Sequence, residues 1–196
     1  MQGTMQKQKC GYRWMRIGYA DARFSMVIIL VSLSAIIYLA SWVYREIPDT
    51  EWRWANFLTI YVVAAILYMN LGVWLHEQLH CLAIRGTNAK NRTHINFGRK
   101  YILFLNGHYT VKGPMAYRTN KRALLAPLVL TIGLSVVGLI GSFILPGWWL
   151  PVLLTMAVAS IIDMTHDFYM YLKIRVIGEK GKYWDMGQYL EVVWRE

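Results

Sequence analysis

His76-Glu77-Gln78-Leu79-His80 is where residue types and spacing most clearly permit chemistry in this chain of 196 residues. On a helix, histidines at i and i+4 leave the same face, so both imidazoles can bind one zinc ion. The glutamate between them is placed to take a proton from a water that the metal activates. A catalytic site of this kind needs a third protein ligand. No acidic residue lies between Glu77 and Asp163. The candidates are therefore Asp163 and Asp167, with His166 beside them, in an otherwise apolar stretch. Asp163 and Asp167 are i and i+4 and share a helix face. Either can ligate while the other accepts the free N–H of His76 or His80. His166 points about 100° away from that face and reads as an interfacial histidine. Cys81 is turned by the same angle from His80 and reads as packing. His94 and His108 read as facing solvent or lipid headgroups.

The elements that must position these residues are apolar helices. Residues 24–44, 57–75, 123–145 and 147–162 carry no charge, and a bilayer core needs about 20 apolar residues as a helix. The fourth run spans if it continues through Asp163 and Asp167 to Leu172. The expected fold is an all-α integral membrane protein, a single polytopic domain over 1–196. It has four transmembrane helices near 24–44, 57–84, 123–145 and 148–172. A loop over 85–122 joins the second and third, and a tail follows over 173–196. The first run is 21 residues long without a small-residue cleavage site, so it reads as a span and not as a signal peptide. Internal repeats and low-complexity tracts are absent from the sequence.

Charge placement orients the spans. Lys7, Lys9, Arg13, Arg16 and Arg23 precede the first span against Asp21 alone. The 85–122 loop holds Arg85, Lys90, Arg92, Arg99, Lys100, Lys112, Arg118, Lys121 and Arg122 with no acid. Positive-inside bias puts both termini and this loop in the cytoplasm of a multi-pass cell-membrane protein. Trp42, Trp52, Trp54, Trp148 and Trp149 then fall at the outer ends, as an aromatic belt. The net charge of +10 reads as a topology and anionic-lipid signal, with no nucleic-acid partner. Cys10 and Cys81 lie on the reducing side, where a disulfide is not expected. Depth adds a constraint. His80 precedes Arg85 by five residues and Asp167 precedes Lys173 by six, so each lies roughly 7–9 Å from its first basic residue. His76 and Asp163 are one turn deeper, and two clusters at one depth can share one metal.

Only the middle loop reads as strand, over 93–97, 99–105 and 108–112. Asn106-Gly107 is placed as a type I′ turn between the last two, and Gly113-Pro114 ends the second. The reading is a small cytoplasmic β-hairpin at the membrane surface. It is either a cover held to headgroups or an edge that pairs with an extended substrate. Arg99, Tyr101, Asn106 and Tyr109 are the candidate substrate contacts.

The run from His76 to Gly86 resembles the zinc helix of the membrane zincin peptidases related to site-2 proteases. Ala126-Pro127 is similar to the Ala/Ser-Pro of those proteins, and Asp167-Phe168-Tyr169 to their Gly-Asp-aliphatic-Tyr segment, with His166 in place of glycine. Tyr183-Trp184-Asp185-Met186-Gly187 is weakly similar to their Asp-containing C-terminal stretch. The Leu-Asp-Gly and Asn-x-x-Pro motifs of site-2 proteases are missing. The resemblance implies His76, His80 and Asp167 as zinc ligands, Asp163 being the alternative third ligand, and Glu77 as general base. Residues and resemblance together lead to the expectation of a zinc metallopeptidase that cleaves a peptide or membrane-protein substrate near the cytoplasmic face. Two other classes fit the same residues: a non-catalytic metal-binding regulator, and a small ion transporter using Glu77, Asp163 and Asp167 as a relay.

Overall fold

The structure, a computed structural model, describes residues 6–9, 12–18, 22–85, 87, 93–100, 104–144, 149–187 and 189–195. Two short strands, β1 (Gln6–Lys9) and β2 (Tyr12–Ile17), precede the helix α1 (Ala22–Glu46). Next come α2 (Arg53–Leu67), a π turn at Tyr68–Gly72 and α3 (Val73–Ala83), which follow one another without a break. A hairpin, β3 (Thr93–Lys100) and β4 (Phe104–Val111), leads through β5 (Met115–Ala116) to α4 (Tyr117–Leu125) and α5 (Leu128–Ile144). The chain closes with α6 (Trp149–Ile177), a 3-10 turn, β6 (Gly181–Asp185) and β7 (Leu190–Arg195).

Among the described residues, three helical stretches are long and apolar enough to cross a membrane: Phe24–Trp42, Arg53–Ala83 and Tyr117–Gly141. They turn large apolar side chains outward, among them Val31, Ile37, Val62 and Leu139. The 29-residue α6, about 43 Å long at 1.5 Å per residue, packs against α1, α2 and α5. A polar contact between helices lies outside the His76–His80 region. Thr131 on α5 and Ser160 on α6 share a buried hydrogen bond of 2.7 Å, the kind of pair that joins helices where no hydrophobic effect acts between them.

Two local devices shape the helices around α6. At the π turn, a Cβ on Gly72 would lie 2.5 Å from the Tyr68 ring. Glycine thus lets that ring lie along its own helix, and the extra residue turns α3 relative to α2. At Pro127 the missing N–H leaves the Ala123 carbonyl without its usual i+4 partner. It accepts the Ala126 N–H instead, at 3.1 Å, and α4 gives way to α5 there.

The expectation of an all-α chain with one hairpin is too narrow. β1, β2, β7, β6 and β5, in that order, form a five-stranded antiparallel sheet that joins strands from both ends of the chain to the mid-chain β5, with Ile17 opposite Leu190. Its core joins Ile17, Tyr183, Leu190 and Val192 to Leu124, Met170 and Ile174 of α4 and α6. Each such side chain removed from water contributes about 1.5–3 kcal/mol. Gly178, at φ +59°, ends α6, and the buried Tyr183 hydroxyl donates to the Gly178 carbonyl at 2.6 Å. Among the described residues, the tail after 173 is therefore structured and anchored.

The hairpin exists, but its turn is elsewhere. Phe97 pairs with Gly107 and Gly98 with Asn106, so Asn106-Gly107 lies inside β4 and the connection falls at 101–103, outside the described residues. The reason is space. A Cβ on Gly107 would come within 2.8 Å of the Phe97 ring and 2.9 Å of Glu77 Cγ. This glycine serves a close approach of backbone to helix, and no left-handed turn.

Candidate metal centre

His76, Glu77 and His80 are all buried on α3, facing α6. Asp167 Oδ2 lies 3.0 Å from His76 Nε2 and 3.3 Å from His80 Nε2, and the two Nε2 atoms are 3.2 Å apart. The other nitrogen of each ring is turned elsewhere. His80 Nδ1 is 2.9 Å from the Ala123 carbonyl, to which it can only donate, so Nε2 keeps its lone pair. His76 Nδ1 faces Asp163 Oδ2 at 3.2 Å, off the hydrogen-bond axis. Asp163 Oδ2 also accepts the Tyr68 hydroxyl at 3.1 Å.

Three atoms rich in lone pairs thus converge, and Asp167 Oδ2 is buried with no hydrogen-bond donor aligned on it. A proton or a metal ion facing such a triangle offsets the repulsion among its lone pairs. Tetrahedral zinc with bonds near 2.0–2.1 Å has ligand–ligand edges of about 3.3–3.4 Å, close to the separations found. His76, His80 and Asp167 are the group among the described residues that could hold a metal ion. The two aspartates, one turn apart, differ in setting. The Asp167 side chain is 9 % exposed and touches both Nε2 atoms, whereas that of Asp163 is 35 % exposed and touches only the far side of His76.

Glu77 points into the same space, and its Oε2 is buried without a hydrogen-bond partner. The pocket, about 200 Å³, has a floor of α3 and α6 and a roof of strands. From β4 come Gly107, His108 and Tyr109; from the β6–β7 turn come Asp185 and Gly187. The Tyr109 ring stacks on His80, with centroids 5.1 Å apart and planes at 17°. Asp185 is fixed by its own turn, its Oδ1 accepting the Gly187 N–H at 2.8 Å. Burial pushes its carboxyl up to about 7, with the Gly187 N–H and His80 acting the other way.

The remaining expectations divide. Tyr109 lies in the roof as a pocket residue. Tyr101, and the side chains of Arg99 and Asn106, lie outside the described residues. His94 is exposed. His108, expected to face solvent or headgroups, instead lines the pocket because β4 crosses over α3. His166 lines it too but stands apart from the donor triangle. Cys81 packs against the buried cluster of Ile84, Tyr109 and Val111. Asp185 and Tyr68 received no site role in the sequence reading. The Tyr183-x-Asp185 alternation, buried at both positions, was the available signal for Asp185.

No curated protein and no solved structure matches the chain at a significant level. A family model described as "Putative zincin peptidase" matches residues 69–177, which include all of the π turn but Tyr68, the His76–His80 segment, the hairpin and α6. That is more than half of the 196 residues, and it contains every member of the donor triangle. The chain therefore belongs to the putative zincin peptidase family.

Proposed function

We propose that this chain is a membrane-embedded zinc metallopeptidase of the H-E-x-x-H, site-2-like type, with His76, His80 and Asp167 as zinc ligands and Glu77 as general base. The observation that carries the reading is the triangle of His76 Nε2, His80 Nε2 and Asp167 Oδ2, with edges of 3.0–3.3 Å, beside a buried and unpartnered Glu77 oxygen. In this reading α6 is a fourth membrane span, packed among α1, α2 and α5. The basic excess of the N-terminal segment and the 85–122 loop puts both termini, the hairpin and the site at the cytoplasmic face. The substrate is a peptide or membrane-protein segment reaching that face.

Zinc, when bound, acts as a Lewis acid that brings the pKa of a water to about 7 and polarises a carbonyl. The protein's own residues do the rest. The Ala123 carbonyl holds His80 by Nδ1, and Asp163 faces His76 Nδ1, so both Nε2 atoms face inward. Tyr68 in turn holds Asp163. Glu77 takes a proton at Oε2 from the attacking water and delivers it to the leaving amine. The stacked Tyr109 ring and the β4 backbone cover the site and limit bulk water.

The test is Glu77→Gln. It keeps stoichiometric zinc, because Glu77 lies outside the donor triangle, and it lowers peptide hydrolysis by about 10²–10⁴-fold or more. A fully active Glu77→Gln protein overturns the mechanism. Stoichiometric zinc in a wild type that hydrolyses no peptide would favour the non-catalytic regulator.

A further inference from the structure

Asp185 has no place in the donor triangle and no share in the proton chemistry of Glu77, yet it is held within the same pocket. It is 4 % exposed. Gly187, at φ +79°, donates to it, and a Cβ there would lie 3.0–3.3 Å from Thr110, His108 and the Tyr109 carbonyl. The turn is thus wedged against β4 and cannot readily swing the carboxyl out. Asp185 interacts electrostatically with His80, Asp167 and Glu77.

The pocket's charge is unusual for this chain. Glu77, Asp163, Asp167 and Asp185 line it, and no Lys or Arg does among the described residues. The chain as a whole has 21 Lys and Arg against 11 Asp and Glu. One divalent ion offsets two of the four carboxylates. Asp163 is held by the Tyr68 hydroxyl and faces His76. Asp163 and Asp185 are then left without a countercharge; Asp163 is partly exposed, whereas Asp185 is buried, where a charged carboxylate is costly unless a cation meets it. Glu77 Oε2, buried and without a hydrogen-bond partner, faces the same space. Asp185 also lies beyond residues 69–177, which the family model covers. Its presence in the pocket follows from the sheet that joins the chain's two ends.

Resting on the zinc-peptidase reading, we propose that the pocket binds a cationic group of the substrate, an ammonium or guanidinium beside the scissile bond, against Asp185. The source is either a Lys or Arg side chain or a free N-terminal amine. A volume of about 200 Å³ suits one such group.

Three hydroxamates binding to the cobalt-loaded protein, followed by its visible spectrum, test this without turnover: Nα-acetyl-lysine, norleucine and Nα-acetyl-norleucine hydroxamate. If the side chain is recognised, the acetyl-lysine compound binds at least about tenfold tighter than acetyl-norleucine. If the N-terminal amine is recognised, free norleucine hydroxamate does. Asp185→Asn, whose side-chain oxygen still accepts the Gly187 N–H, abolishes either preference while the cobalt spectrum of the unliganded protein is unchanged. Equal wild-type binding of all three, or a preference that survives in Asp185→Asn, overturns the proposal. Selective binding in a protein that cleaves no peptide retains it and overturns the peptidase reading. Hydrolysis that is indifferent both to lysine and to a free N-terminal amine does the reverse.

Discussion

The floor and the roof of the pocket are built by different rules. The floor consists of side chains on α3 and α6, each repeated one helical turn apart: His76 with His80, and Asp163 with Asp167. The roof depends largely on backbone, through Gly107 in β4 and Gly187 in the β6–β7 turn, each placed where a Cβ would meet a neighbour. Rigid helices suit a metal, whose ligands must hold their geometry. Strands and turns suit the recognition of a substrate, which differs among relatives that share chemistry. Changes to the ligands in the floor should therefore remove metal, and changes in the roof should leave metal and alter turnover.

The sharpest way to break this division is His80→Ala or His76→Ala, each of which removes a ligand and abolishes both zinc and hydrolysis. Retention of stoichiometric zinc in either would place the metal elsewhere. Asp163→Ala comes next. As the carboxylate facing His76 Nδ1, its loss weakens zinc binding by about 10–100-fold without eliminating it, as competition with a chelator would show. Pro127→Ala tests the other imidazole. A new N–H at 127 competes for the Ala123 carbonyl, so zinc affinity falls by up to about tenfold while the helix itself is no less stable in a melt. On the roof, Gly107→Ala pushes β4 off Phe97 and Glu77. Overpacking of this kind costs about 1–3 kcal/mol, and kcat/KM falls with zinc unchanged. The smallest effect belongs to Thr131→Val, which does not line the pocket. It loses one interhelical hydrogen bond, about 0.6 kcal/mol on average in membranes, and leaves zinc and turnover as they were.

The same division explains what could be read from the residues alone. The floor is legible because helical periodicity is local: i and i+4 pairs announce a shared face. Charged residues also stand out in an apolar run, and depth can be counted from Arg85 and Lys173. Even the outer role of one aspartate was open to that reasoning, although the geometry was needed to put Asp167 against both Nε2 atoms and Asp163 behind His76. The roof is not legible in this way. Asn106-Gly107 looks the same whether glycine is needed for a positive φ or for contact with Glu77, and only the strand register separates the two. The five-stranded sheet pairs Ile17 with Leu190, a contact that no window of sequence contains. Asp185 is inconspicuous in a polar tail until that sheet carries it into the pocket. The π turn at Tyr68–Gly72 rests on one extra residue in an apolar helix, which periodicity over so short a stretch does not resolve.

The central claim is that His76, His80 and Asp167 together hold one zinc ion. Elemental analysis of the purified wild type, Asp167→Ala and Asp163→Ala tests it most directly. The account predicts one zinc per chain in the wild type, none in Asp167→Ala, and weakened but measurable zinc in Asp163→Ala. A wild type without bound divalent metal, or an Asp167→Ala protein that keeps its zinc, would contradict it.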